Sequence, residues 1–496
     1  ENKNNTLPLA DGETCAVFGR TQFEYYKSGT GSGGLVNTSY VHDLDYALTE
    51  SSLTIDEEVK TAYRNWLKDH PFDLGNGWAQ EPWCQVEMPL SDELVSGAAS
   101  RCHTALIVIG RTAGEDRDNA AEKGSWYLTD GEEAMLEIVC RHFSRTVVIL
   151  NVGNIIDMSF VDRYEPSSVL YIWQGGMEGG LAMADVLMGK VSPSGKLSDT
   201  FAGSLDDYPS TANFHESPNY VEYTDDIYVG YRYFETIAQA KEKVNYPFGY
   251  GLSYTEFSIE PIWSGEKDGI IYVTAEVTNA GSFPGKEVVQ LYYGAPQGLL
   301  GKPARVLGAF EKTKELKPGE TETLVLTIPT ASMASYDDLG KVQKSAYVLE
   351  KGDYHFYLGN SVRDAGLLDF VWTLDENQVT LQLTEKMAPS QLTEASRNCP
   401  REHPTISWRT ALAGPITIQR AMHRQYGQEP AISSGAKHQR KRSCSSMWQK
   451  AELPWMNLWR SLQIWSLQNF WAASRTPAWQ TPSASEICRS TACRTS

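Results

Sequence analysis

No apolar run in this chain approaches the roughly 18 consecutive residues that a membrane-spanning helix needs, so neither a spanning segment nor a membrane partner is expected. Metal-site spacings are missing as well. No His-x-Glu or His-x-x-x-His pair occurs, and Cys15, Cys84, Cys102 and Cys140, the cysteines of the first third, stand at no metal-ligand interval. Buried thiols without a disulfide framework are the expectation for them. A G-x-x-x-x-G-K-[ST] phosphate loop is absent too, and no cofactor is expected. The chain starts at Glu1 with no initiator methionine and no charged-then-apolar leader, so an export signal is either absent or cut away. Localisation stays open at that end, with the cytoplasm as the default.

What is present is a globular composition, 41% hydrophobic and 21% charged over 496 residues, long enough for two to four domains. The net charge of −18 is unevenly spread. Residues 391–496 hold 14 Lys and Arg against 5 Glu and no Asp, leaving a net −27 on residues 1–390. So acidic a body repels phosphate backbones, which excludes nucleic acid as its expected partner.

From Thr14 to about Phe201 short β-branched runs alternate with longer amphipathic stretches. Cys15–Phe18, Ala105–Ile109, Thr146–Leu150 and Val169–Trp173 read as continuous apolar strands buried on both faces of a parallel sheet. Between them, Asp130–Phe143 reads as a helix opened by a Thr129/Glu132 capping box, and Gly180–Met188 as another ended by Gly189. The fold class expected is a layered α/β sandwich. After Tyr254 only alternating strands follow, at Ile270–Val277, Glu287–Tyr293, Glu322–Ile328 and Asp353–Leu358, separated by turn signals. A small β-sandwich is expected there.

Gly29-Thr30-Gly31-Ser32-Gly33-Gly34 satisfies the G-x-G-x-x-G spacing of dinucleotide sites. Yet Arg20 to Ser28 separate it from the first strand, and no helix start follows, so the glycines do not make the strand-to-helix turn such sites require. A glycine loop carrying Tyr25, Tyr26 and Lys27 toward a ligand is one reading, a plain surface loop another. Ala113-Gly114-Glu115 followed by Asp116-Arg117-Asp118 lies just past the strand at 105–109, where open α/β sheets bind ligands. Glu115 is either a catalytic carboxylate or a loop carboxylate in an ion pair. Glu178, among glycines before a helix, is a rival acid or a group complementing the helix dipole.

Five phrases taken together resemble glycoside hydrolase family 3, over about residues 5–375. They are Asn5-Thr6-Leu7-Pro8-Leu9, Asn151-Val152-Gly153-Asn154-Ile155-Ile156-Asp157-Met158, the run from Ala184 to Leu197, Tyr228-Val229-Gly230-Tyr231-Arg232-Tyr233, and the run from Tyr246 to Tyr254. The resemblance implies the family's α/β-sandwich domain at 1–258 and its fibronectin type III-like domain at 266–375. It also implies a retaining β-glycosidase of β-glucosidase type, acting on a β-linked glucoside or oligosaccharide. Such chemistry needs two carboxylates about 5–5.5 Å apart, one attacking the anomeric carbon and one protonating the leaving oxygen. In the family the nucleophile is an aspartate in a barrel, and the acid/base of many members is a glutamate on a loop of the sandwich. Gly114-Glu115-Asp116-Arg117 resembles that loop, slightly shortened from a Gly-Glu-Gly-x-Asp-Arg form. The resemblance therefore makes Glu115 the acid/base, and turns Lys27, Ser28, Gly29 and Arg117 toward the sugar.

No Ser-Asp-Trp phrase and no eight-fold strand–helix repeat accompany it, so the barrel and its nucleophile are expected to be missing. Residues 391–496 carry seven of the fourteen tryptophans and four of the eight cysteines without a sustained period. Met and Trp have single codons, so Met447-Trp448-Gln449 shifted by one nucleotide must read Val-Ala after Asp, Asn, His or Tyr. Trp455-Met456-Asn457 must likewise read Asp-Glu after Leu, Val or Met. Both resemble the approach to the barrel in relatives of inverted domain order. The tail is expected to be an out-of-frame, largely unstructured product of a frameshift near 390–400; a genuine basic, tryptophan-rich extension is the competing reading. For the chain as a whole the alternatives are a non-catalytic carbohydrate-binding or accessory protein and, further off, a dinucleotide-binding protein.

Overall fold

The computed structural model describes residues 2–31, 34, 36–77, 79–215 and 225–384; the tail at 391–496 lies outside the described residues. The first half is built on a parallel sheet of five strands: β1 Thr14–Phe18, β2 Thr54–Ile55, β3 Thr104–Arg111, β4 Thr146–Val152 and β5 Ser168–Tyr171, in the order β2-β1-β3-β4-β5. Successive side chains of a strand point to opposite faces, and here both faces are covered. Cys15, Val17, Leu106, Val108, Val147 and Ile149 pack on helices α1 Leu44–Thr49 and, further along the chain, Gly179–Leu187. Ala16, Phe18, Ile107, Ile109, Val148 and Leu150 pack on the other side, against α2 Glu57–Leu67, α3 Asp92–Arg101, α4 Asp130–His142 and α5 Phe160–Tyr164. The helix Gly179–Leu187 is α6. Continuous apolar runs are therefore the signature of β1, β3 and β4, where neither face meets water.

Helix α4 starts as its sequence requires. Thr129 Oγ1 accepts the Glu132 N–H while the Glu132 carboxylate accepts the Thr129 N–H. That same carboxylate grips the guanidinium of Arg111, the last residue of β3, through Nη1–Oε1 at 2.5 Å and Nη2–Oε2 at 2.7 Å, with both side chains buried. The end of β3 is thus bolted to the start of α4. Gly189, at φ +68, follows α6 as anticipated.

Beyond a short pair, β6 Phe201–Ala202 with β7 Val244–Tyr246, the chain is antiparallel. Strands β8 Phe257–Lys267 and β9 Ile270–Asn279 form one sheet with Thr321–Pro329, while β10 Val288–Gly294 and β11 Val306–Lys312 form another with Gly352–Gly359 and Gly366–Leu374. The alternating inward residues Ile271, Val273, Ala275 and Val277 meet Leu324, Leu326 and Ile328 and, across the sandwich, Leu291, Phe356 and Leu358. A third small sheet joins Ser335–Asp337, Ala346–Leu349 and Gln378–Gln382. Between the two halves, half-buried Lys196 bonds Glu287 at 2.8 Å and Gln290 Nε2 donates to Gly249 O.

Candidate active site

Strand order locates a switch point. Helix α1 follows β1 onto one face of the sheet, whereas α4 follows β3 onto the other. The loops that leave β1 and β3 therefore lead to opposite faces, and open sheets bind ligands in the crevice outside such a switch point. The glycine loop and the Glu115 loop are the two sides of it. Their backbones join through a parallel bridge, Thr30 to Gly114, with the Thr30 N–H donating to Ala113 O at 2.6 Å.

Contact this close excludes side chains. A methyl group on Gly29 would stand 1.9 Å from Ala113 O, and one on Gly31, where φ is +89, would stand 2.4 Å from Glu115 Cβ. The glycines thus serve backbone approach. They do not open a helix, since α1 begins only at Leu44; Ser32 and Gly33 of the spacing motif lie outside the described residues.

Glu115 occupies the second position of a turn closed by the Arg117 N–H on Gly114 O at 3.1 Å, and it is exposed. Asp116 follows at φ +60, a left-handed conformation that costs most side chains about 1–2 kcal/mol and that aspartate tolerates better than most. The turn thus presents its glutamate outward at the C-terminal edge of the sheet.

Three residues order the loops around it. Asn151, at the end of β4, accepts the Tyr26 N–H at 2.7 Å and donates to Tyr26 O and Trp173 O, tying together the loops after β1 and β5. Asn154 Nδ2 reaches Asn119 Oδ1 at 3.1 Å, and Asn119 reaches Ile155 O. The two asparagines of the 151–158 phrase thus fasten the strand-end loops together. Arg117 lies with its guanidinium 5.5 Å from the ring centre of Trp83 and its Nε buried.

The remaining residues expected at a sugar act on the glycine loop itself. Lys27 Nζ donates to Val36 O at 3.0 Å, its carbonyl accepts the Gly176 N–H, and Ser28 Oγ donates to Gly34 O at 3.1 Å. Glu178 is held differently: Tyr40 donates to one oxygen and His42 Nδ1 meets the other, each at 2.7 Å. First the Tyr40 hydroxyl and then His42 draw its carboxyl below the ordinary value. That is the wrong direction for a group that must deliver a proton, so Glu178 loses ground as the rival acid.

Sequence reasoning passed over Glu81 and Trp83. Burial pushes the Glu81 carboxyl up, against the pull of Thr112 and Arg117. A signal was available, because the described residues between α2 and α3, 68–77 and 79–91, form neither helix nor strand, and a connection of that length is usually either functional or a linker. The four thiols are free; burial pushes Cys15 up to about 12 and Cys84 and Cys102 up to about 11, leaving them un-ionised and poor nucleophiles. No group of metal-ligating side chains occurs among the described residues. A cavity of about 240 Å³ runs along β5 between Tyr171, Trp173, Phe201, Tyr246 and Leu252. No carboxylate lines it, which makes it unsuited to acid catalysis.

Residues 1–254 match the model of the glycosyl hydrolase family 3 C-terminal domain, and residues 287–362 that of the fibronectin type III-like domain. A beta-glucosidase of Ruminococcus albus is 51% identical over 387 residues, 78% of this chain and 40% of that protein. Beta-glucosidase A of Butyrivibrio fibrisolvens is 45% identical over 433 residues, covering 79% and 51%. Among solved structures, a beta-glucosidase from Paenibacillus barengoltzii superposes with a TM-score of 0.76 at 51% identity, covering 79% of this chain and 43% of that one. Beta-glucosidase 3B from Thermotoga neapolitana, solved with alpha-D-glucose, gives 0.69 at 33%, covering 76% and 52%. The chain spans about half the length of the curated relatives it matches.

Proposed function

The chain belongs to glycoside hydrolase family 3, and from that premise we propose that it supplies the acid/base half of a retaining β-glucosidase, with Glu115 as the proton donor to the departing oxygen. One observation carries this reading: an exposed carboxylate stands on a turn bridged to a glycine loop at the switch point of the sheet. A carboxyl there reaches a substrate lying across the crevice, while the loops behind it hold the turn in place.

Its partner in the reaction is an aspartate of a barrel domain, which the resemblance implies and no phrase of residues 1–390 supplies. The tail at 391–496 is read as out of frame, so the chain as it stands is nearly inactive. Lys27, Ser28 and Gly29 shape the sandwich side of the sugar site, and the substrate is a β-linked glucoside. Beta-glucosidase 3B from Thermotoga neapolitana was solved with alpha-D-glucose, which supports that class.

Restoring the frame and assaying aryl β-glucosides tests this. A general acid is worth about 10²–10⁴ in rate, so Glu115→Gln is expected to lower kcat/KM for glucosides with poor leaving groups by that factor and to spare kcat/KM for activated ones, whose kcat falls because hydrolysis of the glycosyl–enzyme has lost its base. Equal loss of kcat/KM on both classes, or none, refutes the assignment.

A further inference from the structure

The long connection at 68–91 touches the Glu115 loop at both of its ends. Ahead of the turn, Trp83 O accepts the Thr112 N–H at 2.8 Å, immediately before Ala113 receives the Thr30 N–H. Behind the turn, the Trp83 ring carries the Arg117 guanidinium at 5.5 Å. Neither Trp83 Nε1 nor Arg117 Nε has a hydrogen-bond partner among the described residues, so the ring face is what meets the cation. Arg117 in turn closes the turn through its backbone N–H. Glu81, two residues before Trp83, adds a half-buried carboxylate within electrostatic reach of the same guanidinium.

We propose that Trp83 and Arg117 are positioning residues: a cation–π brace that fixes the turn carrying Glu115, and hence the direction in which its carboxyl points. This rests on the reading of Glu115 given above. A turn whose third residue sits at φ +60 relaxes easily unless its ends are fixed, and a few tenths of an ångström at a proton donor matter to the rate. Arg117 thereby moves from a residue expected to touch sugar to one that acts through Glu115.

Trypsin offers a direct readout on the chain as it exists, because cleavage after Arg117 requires that side chain to leave the ring. Rates of that cut are compared in the wild type, Trp83→Leu and Trp83→Phe. Losing a partly desolvated cation–π contact should speed cleavage about tenfold in Trp83→Leu, with Trp83→Phe restoring it to within about twofold. The frame-restored enzyme supplies the second readout: Trp83→Leu should shift the dependence on leaving group in the same direction as Glu115→Gln. An unchanged cleavage rate in Trp83→Leu overturns the brace. If cleavage rises but neither variant alters the leaving-group dependence, the assignment of Glu115 falls and the brace stands. Should Trp83→Leu fail to fold, Arg117→Lys keeps the tryptic site, lacks the flat stack, and is expected to be cut faster; equal rates overturn the proposal.

Discussion

The two halves of the molecule use buried charge in the same way and exposed charge differently. In the α/β half, Arg111 and Glu132 lock the end of β3 to the start of α4. In the β-sandwich, Glu350 accepts the N–H groups of Leu299 and Leu300 and pairs with Lys302, again out of solvent. The first pair holds a strand to a helix and the second a loop to the end of a strand. Only the α/β half also presents a carboxylate on a strand-end turn at a switch point. The difference follows from topology: parallel strands send their connections off one edge and open a crevice there, whereas hairpin-linked strands close on one another.

Cutting one partner from each buried pair is the strongest way to break this comparison. Glu132→Ala and Glu350→Ala should each cost about 3–5 kcal/mol of stability, since each strands an uncompensated buried charge; denaturant unfolding measures it. The two should part in function, because only Glu132→Ala releases the strand that carries the Glu115 turn.

A smaller effect belongs to Glu87. Its buried carboxyl accepts the N–H groups of Arg20 and Met88, and burial pushes it up to about 7. A carboxyl whose folded value lies above the unfolded one binds its proton more tightly when folded. The contribution of Glu87 to stability is therefore greatest at low pH and declines as pH rises from about 4.5 through 7. Glu87→Gln should flatten that decline in a series of thermal melts; an unchanged slope contradicts the assignment of the titration to Glu87.

Smallest is Gly31→Ala, where left-handed geometry costs about 1–2 kcal/mol and the new methyl meets Glu115 Cβ. A modest drop in melting temperature is expected, together with a larger loss of activity in the frame-restored enzyme.

Much of this was legible in the residues. Continuous apolar strands and the capping box of α4 are local signals, and both halves of the fold follow from them. Helices α2 and α3 were not read. In α3 small residues around Ala98 weaken the apolar period, whereas α2, capped by Asp56 and burying Val59 and Tyr63 on one face, carried a legible signal that was passed over. Strand β2, two residues long, has no period at all. Arg111 was hidden for another reason. An arginine that ends an apolar run looks like the end of the strand, and only Glu132, 21 residues later, explains its burial. Trp83 and Glu81 lie in a segment without regular structure, so their relation to Glu115 exists only in three dimensions. Glu115 could be proposed from the sequence because its strand, its turn and the resemblance of its loop to the family's all point to one carboxylate.

The central claim, that Glu115 is the acid/base, is tested most directly by trapping with azide in a frame-restored Glu115→Ala enzyme. Azide attacks the glycosyl–enzyme intermediate without needing a general base, so it replaces what the variant has lost. The expected result is a rate on an activated aryl β-glucoside that rises with azide and a product that is the β-glucosyl azide. No response to azide, or an α-configured azide, contradicts the account, the latter by making Glu115 the nucleophile.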